Sequence, residues 1–109
     1  FLGDYKDYFR LAERPGKGMI EAAKAKGMSE EEMFRTLSYF DVKNFTDRIT
    51  CPVIMAIGLQ DPVCPPHTNF SEYNQVKSEK SYSCYPEAGH NIWQQPGWSV
   101  EKKEFFERF

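Results

Sequence analysis

The first half of the chain shows apolar residues at helical spacing, separated by short breaks. Within a predicted helix over 4–14, the apolar face consists of Tyr5, Tyr8, Phe9 and Ala12. Pro15-Gly16 ends this helix, and a second short helix is predicted over 18–26, with Gly27 just past its end. The pattern therefore predicts a mainly helical segment over 1–50.

Ser29 and the three glutamates that follow it mark the start of a third helix. In this capping box the Ser29 hydroxyl accepts a hydrogen bond from the Glu32 N–H, and the Glu32 carboxylate reaches back to the Ser29 N–H. The buried side of the helix is predicted to hold Phe34, Leu37 and either Tyr39 or Phe40. Asp41 is a further N-cap candidate and is expected to open a short turn that ends near residue 49.

The second half of the chain changes to a pattern typical of alternating strands and helices. Val53–Ile57 is a short apolar run ended by Gly58, which predicts a strand covered on both faces. Pro66 suits the first turn of a helix that runs to about residue 76, and the alternating segment Ser81–Tyr85 predicts a second strand. Ser99 is predicted to cap a last helix, whose residues packing on the sheet would be Val100, Phe105, Phe106 and Phe109. The order over 51–109 is therefore a strand-helix-strand-helix unit with parallel strands.

Length and composition restrict the class of protein. With 109 residues, 40% of them hydrophobic, and a net charge of −2, the sequence predicts one α/β domain over 1–109. Acidic and basic residues are mixed, so no basic stripe indicates nucleic-acid binding, and no apolar run approaches the length of a membrane span. Two strands alone leave unpaired edges, which indicates that further strands belong upstream in a longer protein and that the domain is partial.

The three cysteines, Cys51, Cys64 and Cys84, indicate neither a disulfide framework nor a metal site. Their number is odd and they form no close pairs. No CxxC or HxxxH spacing is present, so no structural zinc site is predicted. Reduced thiols are the simpler interpretation, and they favour a cytoplasmic location.

Candidate chemistry follows the two predicted strands, with Asp61 after the first and His90 after the second. Because the carboxyl ends of parallel strands meet at one edge of a sheet, the two side chains can lie together. A carboxylate that accepts a hydrogen bond from Nδ1 of a histidine fixes the ring tautomer, and the histidine then acts as general base and general acid. Alternatively, Asp61 caps the next helix and His90 has a structural role.

Longer strings around these two residues resemble a known family. The first string is Gly58-Leu59-Gln60-Asp61-Pro62-Val63-Cys64-Pro65-Pro66, and Ala88-Gly89-His90 follows it after a helix and a strand. Together they resemble the last part of an α/β-hydrolase and, more closely, the acetyl xylan esterase and cephalosporin C deacetylase family. Segments 39–45 and 66–70 are similar to that family too.

The resemblance implies a serine esterase that removes acetyl groups from xylan, xylo-oligosaccharides and similar small acetylated compounds, without a metal or organic cofactor. Asp61 matches the triad acid and His90 the triad base. The G-x-S-x-G elbow that carries the serine in this fold does not occur in the sequence. We therefore expect the C-terminal portion of an α/β-hydrolase fold, which lacks the N-terminal strands and the nucleophile, in a family whose members are often hexameric.

Three further residues are weighed as parts of a site. His67 is expected at the surface or at the start of its helix, with a place in an acyl pocket as the alternative. Trp93 is expected either to form a wall against a sugar or to pack with the last helix. Cys64 has no basic neighbour in sequence, which argues against a nucleophilic role.

The function stays open between different classes of protein. An esterase fragment requires Asp61 and His90 within hydrogen-bond reach. A non-catalytic binding or assembly module on the same scaffold predicts no such contact. Between the two stands a chain that completes an active site by pairing with an N-terminal partner chain or with a second copy.

Overall fold

The computed structural model describes residues 3–12 and 16–109. Within these ranges the helices are α1 (Tyr5–Leu11), α2 (Gly16–Ala25), α3 (Glu30–Leu37), α4 (Pro66–Gln75) and α5 (Pro96–Phe106). The strands are β1 (Val53–Gly58) and β2 (Lys80–Tyr85), and short 3₁₀ helices cover Val42–Arg48 and Ile92–Gln94. The predicted order of elements is confirmed over these residues, and the bounds differ at several ends.

The first three helices pack around a small core of their own. Its buried residues are Tyr8, Phe9, Ala12 and Met33. The Phe9 and Phe34 rings lie 5.8 Å apart and join α1 to α3. The predicted buried side of α3 is partly wrong, because Met33 is its buried residue, while Tyr39 and Phe40 are exposed. Both of these aromatic residues follow the end of α3, so the helical phase no longer applies to them.

The start of α3 has the predicted capping box. The Glu32 N–H donates to Ser29 Oγ at 3.1 Å, and the Ser29 N–H donates to Glu32 Oε2 at 2.9 Å. The Ser29 hydroxyl also donates to Glu32 Oε2, at 2.8 Å. The two hydrogen bonds that the carboxylate accepts from Ser29 lower the pKa of the Glu32 carboxyl.

Asp41 caps two helices, although the sequence predicted it as the cap of only the second. Its Oδ1 accepts the Lys43 N–H at 3.0 Å, as expected for the N-cap of the 3₁₀ helix that follows. The same carboxylate accepts the Asp4 N–H at 2.7 Å and the Tyr5 N–H at 2.9 Å, which are donors at the start of α1. A single buried side chain therefore ties the start of α1 to the middle of the chain.

Helix bounds in the first part of the chain differ from the predicted ones. Helix α1 ends at Leu11, and the predicted end at Arg14 lies outside the described residues. Helix α2 begins at Gly16, two residues before the predicted start. A Cβ at Gly16 would lie 2.5 Å from the Phe9 Cα, so glycine allows this end of α2 to approach the α1 backbone closely.

The last helix begins earlier than predicted and packs less tightly. Pro96 occupies its first turn, where the missing N–H of proline costs no hydrogen bond, so Ser99 lies inside the helix and does not cap it. Phe105 is half-buried, whereas the other predicted packing residues are exposed: Val100, Phe106 and Phe109. Across the described residues, no helix is both long enough and apolar enough to pass through a membrane.

The strands form a parallel pair in which Val53 faces Lys80 and Gly58 faces Tyr85. Helix α4 forms the crossover, and Tyr73 on α4 packs edge-on against Tyr82 of β2 at 5.2 Å. The predicted cover on both faces of β1 is wrong for most of its length. Ile57 is fully buried, but residues 53–56 are only half-buried because β2 and the surrounding helices cover just part of the strand.

Candidate active site

The two strands end side by side, so the loops after them run in contact. Gly58 and Tyr85 are register partners, and the next residue, Leu59, donates its N–H to the Tyr85 carbonyl at 3.1 Å. The Gln60 N–H then donates to the Ala88 carbonyl at 3.0 Å. These backbone hydrogen bonds hold the acid loop against the histidine loop at the carboxyl edge of the sheet.

Gly58 makes this close contact sterically feasible. A Cβ at Gly58 would lie 2.4 Å from the Gly89 carbonyl oxygen and 2.6 Å from that of Ala88. Only a residue without a side chain lets the end of β1 come this near to the histidine loop.

Asp61 is held by the loop that it begins. Its Oδ1 accepts the N–H groups of Val63 and Cys64, both at 2.8 Å. The Asp61 side chain is 6% exposed. The cap that Asp61 provides is on this loop and not on α4, which has Pro65 at its N-cap position. The capping role and the contact with histidine therefore occur together, through different oxygens of one carboxylate.

The second oxygen of Asp61 faces His90. Oδ2 lies 2.9 Å from His90 Nδ1, and the His90 side chain is 41% exposed. An ionised carboxylate accepts hydrogen bonds and donates none, so Nδ1 carries the proton in this pair. In the neutral ring Nε2 then keeps its lone pair and is the nitrogen able to accept a proton. The contact agrees with the requirement of the esterase hypothesis and disagrees with the expectation for a non-catalytic module.

Trp93 lies beside this pair. Its ring stands edge-on to His90, with centroids 6.1 Å apart and planes at 84°, and it is 61% exposed. The exposed indole therefore borders the imidazole.

His67 belongs to a different contact. Its Nε2 lies 2.7 Å from Oδ2 of Asp7 on α1, and both side chains are substantially exposed. Since the carboxylate is the acceptor, Nε2 carries the proton in His67, which is the opposite tautomer to His90. We interpret His67 as a link between α1 and α4, close to the surface role that its position in sequence favoured.

Cys64 and Tyr8 lie next to the acid. Burial raises the pKa of the Cys64 thiol, and the negative charge of Asp61 raises it further, so the thiol is a poor nucleophile. Burial also raises the pKa of Tyr8, with smaller contributions from Cys64 and Asp61. From the sequence, Tyr8 is predicted only to lie on the apolar face of α1. No local signal reveals this position, because Tyr8 is more than 50 residues from Asp61.

Comparison with known proteins identifies the family. Residues 1–108 match the acetyl xylan esterase (AXE1) family. The chain belongs to this family. It is 39% identical over 79 residues to acetyl esterase Axe7A of Xylanibacter ruminicola, which covers 72% of this chain and 17% of that protein.

Two solved acetyl xylan esterases have the same fold over nearly the whole chain. Acetyl xylan esterase 1 from Thermoanaerobacterium sp. JW/SL YS485 superposes with a TM-score of 0.84 at 35% identity, over 96% of this chain and 34% of that one. The acetyl xylan esterase from Paenibacillus sp. R4 superposes with a TM-score of 0.87 at 31% identity, over 100% of this chain and 35% of that one. The chain thus spans about a third of the length of these relatives.

Proposed function

We propose that this chain carries the acid and the base of a serine carbohydrate esterase, and that the serine nucleophile lies outside residues 1–109. The 2.9 Å contact between Asp61 Oδ2 and His90 Nδ1 carries the proposal. The buried carboxylate and the half-exposed imidazole are the arrangement that a triad needs, with the acid shielded and the base open to substrate. No serine of this sequence has the G-x-S-x-G surroundings of a hydrolase nucleophile.

In the proposed reaction His90 moves the protons. Its Nε2 takes the proton of the serine hydroxyl as the serine attacks the acetyl carbonyl, and it then gives that proton to the departing sugar hydroxyl. Asp61 keeps the proton of the ring on Nδ1 and stabilises the imidazolium while it exists. Water then attacks the acetyl-serine by the same route and releases acetate.

The proposed substrate is an acetylated saccharide such as acetylated xylan or xylo-oligosaccharide. The names of the relatives support this class of substrate, and the exposed indole of Trp93 beside His90 offers a flat apolar wall for a sugar ring. In an active chimera that joins this chain to the rest of the Thermoanaerobacterium enzyme, Trp93→Ala should therefore raise KM for an acetylated xylo-oligosaccharide more than for a small aryl acetate.

The remaining strands and any association belong to the same proposal. We take residues 1–109 as part of one hydrolase domain, in which strands outside this chain extend the β1–β2 sheet. Residues 53–56 of β1 are only half-buried, which leaves apolar area for such neighbours. These additional strands come either from an N-terminal part of the same polypeptide or from a partner chain that assembles with this one.

Proton NMR with ¹⁵N labels tests the geometry on the 109-residue chain, because His67 and His90 are its only histidines. We expect the neutral ring of His90 in the Nδ1–H form and that of His67 in the Nε2–H form, because each proton faces a carboxylate acceptor. Asp61→Asn should change only the His90 signals. Asp7→Asn is the matched control and should change only those of His67. An Nε2–H form of His90 in the wild type would contradict the proposal.

Hydrolysis of an aryl acetate tests the chemistry. The 109-residue chain alone should show no turnover that depends on His90. When it replaces the matching third of the Thermoanaerobacterium enzyme, turnover should appear and should fall by about 10⁶-fold in His90→Ala and about 10⁴-fold in Asp61→Asn. His67→Ala should stay within a few fold. A folded chimera that is indifferent to His90→Ala, or His90-dependent turnover by the chain alone, would refute the proposal.

A further inference from the structure

The acid-base pair has a third neighbour that the proposed reaction does not use. One carboxylate oxygen of Asp61, the Cys64 Sγ and one ring nitrogen of His90 all lie within 4.8 Å of one another. The three residues come from two loops and supply one oxygen, one sulfur and one nitrogen. Zinc is bound in proteins by this mixture of donors, whereas magnesium and calcium prefer oxygen alone.

The loop holds the thiol in place. The Cys64 N–H donates to Asp61 Oδ1 at 2.8 Å, and the Asn69 side chain donates to the Cys64 carbonyl at 3.1 Å. Prolines follow directly at 65 and 66, and Cys64 is only 8% exposed. Because both its backbone N–H and its backbone carbonyl are hydrogen-bonded, Cys64 cannot move far from the acid-base pair.

We infer that Asp61, Cys64 and His90 form an inhibitory binding site for a thiophilic divalent cation, with Zn²⁺ as the ion that fits the donors best. In a tetrahedral zinc site the ligand atoms lie roughly 3.3 to 3.6 Å apart. The Nδ1–Oδ2 distance of 2.9 Å must open by a few tenths of an ångström. The distances from the sulfur to the other two donor atoms, at most 4.8 Å, must shorten by up to about 1.2 Å to reach roughly 3.6 Å. A water molecule completes the tetrahedral coordination.

Coordination would reverse the tautomer of His90. The S–H bond of Cys64 breaks and its proton goes to solvent as the sulfur binds the ion. Nδ1 of His90 binds the ion in place of its proton, so the neutral ring carries its proton on Nε2. With Nε2 protonated, the base has no lone pair for a serine proton. The inhibition rests on the proposed function, but the binding does not.

Binding is measured on the 109-residue chain by calorimetry with Zn²⁺ and by absorption with Co²⁺ as a spectroscopic substitute. We expect one Zn²⁺ per chain and, with Co²⁺, a sulfur-to-metal charge-transfer band. Cys64→Ala should weaken Zn²⁺ binding at least tenfold and remove the band. Cys84→Ala, at an exposed thiol, is the matched control and should leave both unchanged.

A second group of side chains in the described residues provides a competing explanation. Asp4, Asp7 and His67 also lie within 4.8 Å of one another, although Lys43 already pairs with Asp4 at 3.0 Å. His67→Ala removes this group and should leave Zn²⁺ affinity unchanged. Binding lost in His67→Ala or in Cys84→Ala, or no saturable binding at all, would overturn the inference. If Cys64→Ala fails to fold by circular dichroism, Cys64→Ser is used, because it replaces the sulfur with an oxygen at a similar side-chain size.

The histidine tautomers separate the two proposals. Without zinc, the Nδ1–H form of His90 tests the proposed function. With zinc, a change of His90 to the Nε2–H form tests the inference, and His67 serves as the internal reference. A His90 tautomer that is unchanged by saturating Zn²⁺ would overturn the inference and leave the proposed acid-base role intact.

Discussion

Substitution Gly58→Ala should damage both stability and the candidate site. The added Cβ would lie 2.4 Å from the Gly89 carbonyl oxygen, far below the 3.0 Å that real Cβ contacts respect. The clashing atoms belong to the backbone, so no side-chain rotation relieves them. The histidine loop must therefore move away from the end of β1 by about 0.6 Å or more.

The change in the free energy of unfolding has two unfavourable contributions and one favourable contribution. Forcing a methyl group into a packed contact costs about 1–3 kcal/mol. The hydrogen bonds from Leu59 to Tyr85 and from Gln60 to Ala88 cross the same contact, and weakening them costs about 1 kcal/mol in total. The lower entropy of the unfolded chain returns about 0.4–1 kcal/mol for glycine to alanine. The free energy of unfolding should therefore fall by about 1–4 kcal/mol, with 2 as the central value.

Urea unfolding followed by circular dichroism measures this change, and Gly89→Ala is the matched control. A Cβ at Gly89 meets only the Gln60 carbonyl oxygen, at 3.7 Å, which is an ordinary contact. The control should stay within about 0.5 kcal/mol of the wild type. The reasoning is refuted if Gly58→Ala is equally mild and keeps the His90 Nδ1–H signal, or if both variants lose the same amount.

Two further predictions concern buried carboxylates away from the site. Asp41→Ala removes the acceptor of three backbone N–H groups and should lower the free energy of unfolding by about 2–3 kcal/mol in urea titrations. Asp47 is exposed, and Asp47→Ala should change the free energy of unfolding by less than about 0.5 kcal/mol. Burial raises the pKa of Glu72, and the charges of Asp41 and Asp4 add to this effect. The folded state therefore holds this proton more tightly than the unfolded state, so the wild type should lose stability relative to Glu72→Gln as pH rises from the ordinary carboxyl range through the raised pKa. A difference in urea midpoint that stays constant with pH would contradict this reasoning.

Local signals in the sequence were sufficient for most elements. The capping box at Ser29 and Glu32, the apolar run that ends at Gly58 and the first-turn proline at Pro66 each depend on residues only a few positions apart. The parallel pairing of the strands also followed, because a strand-helix-strand crossover allows little else. Errors occurred at the ends of elements, where Ser99 was predicted to cap the last helix although α5 already starts at Pro96.

In the candidate site, too, some residues were predictable from the sequence and others were not. Its two main residues were predictable because each follows a strand, and the family resemblance strengthened that prediction. The partners of His67 and the neighbours of Cys64 were not predictable, because Asp7 and Tyr8 come from the other end of the chain. Spacing rules for metal ligands test residues close in sequence, so they could not find donors from two separate loops.

By itself the sequence determined where helices and strands form and which residues follow the strands, since propensity, capping and turn chemistry act over a few residues. Tertiary structure alone decided that Asp61 faces His90 across 29 positions and that Asp41 caps a helix 36 positions away. It also left Phe106 and Phe109 exposed despite their apolar character. The physical reason is that each of these outcomes depends on how closely two separate backbones approach, and at Gly58 that approach rests on the absence of a single methyl group.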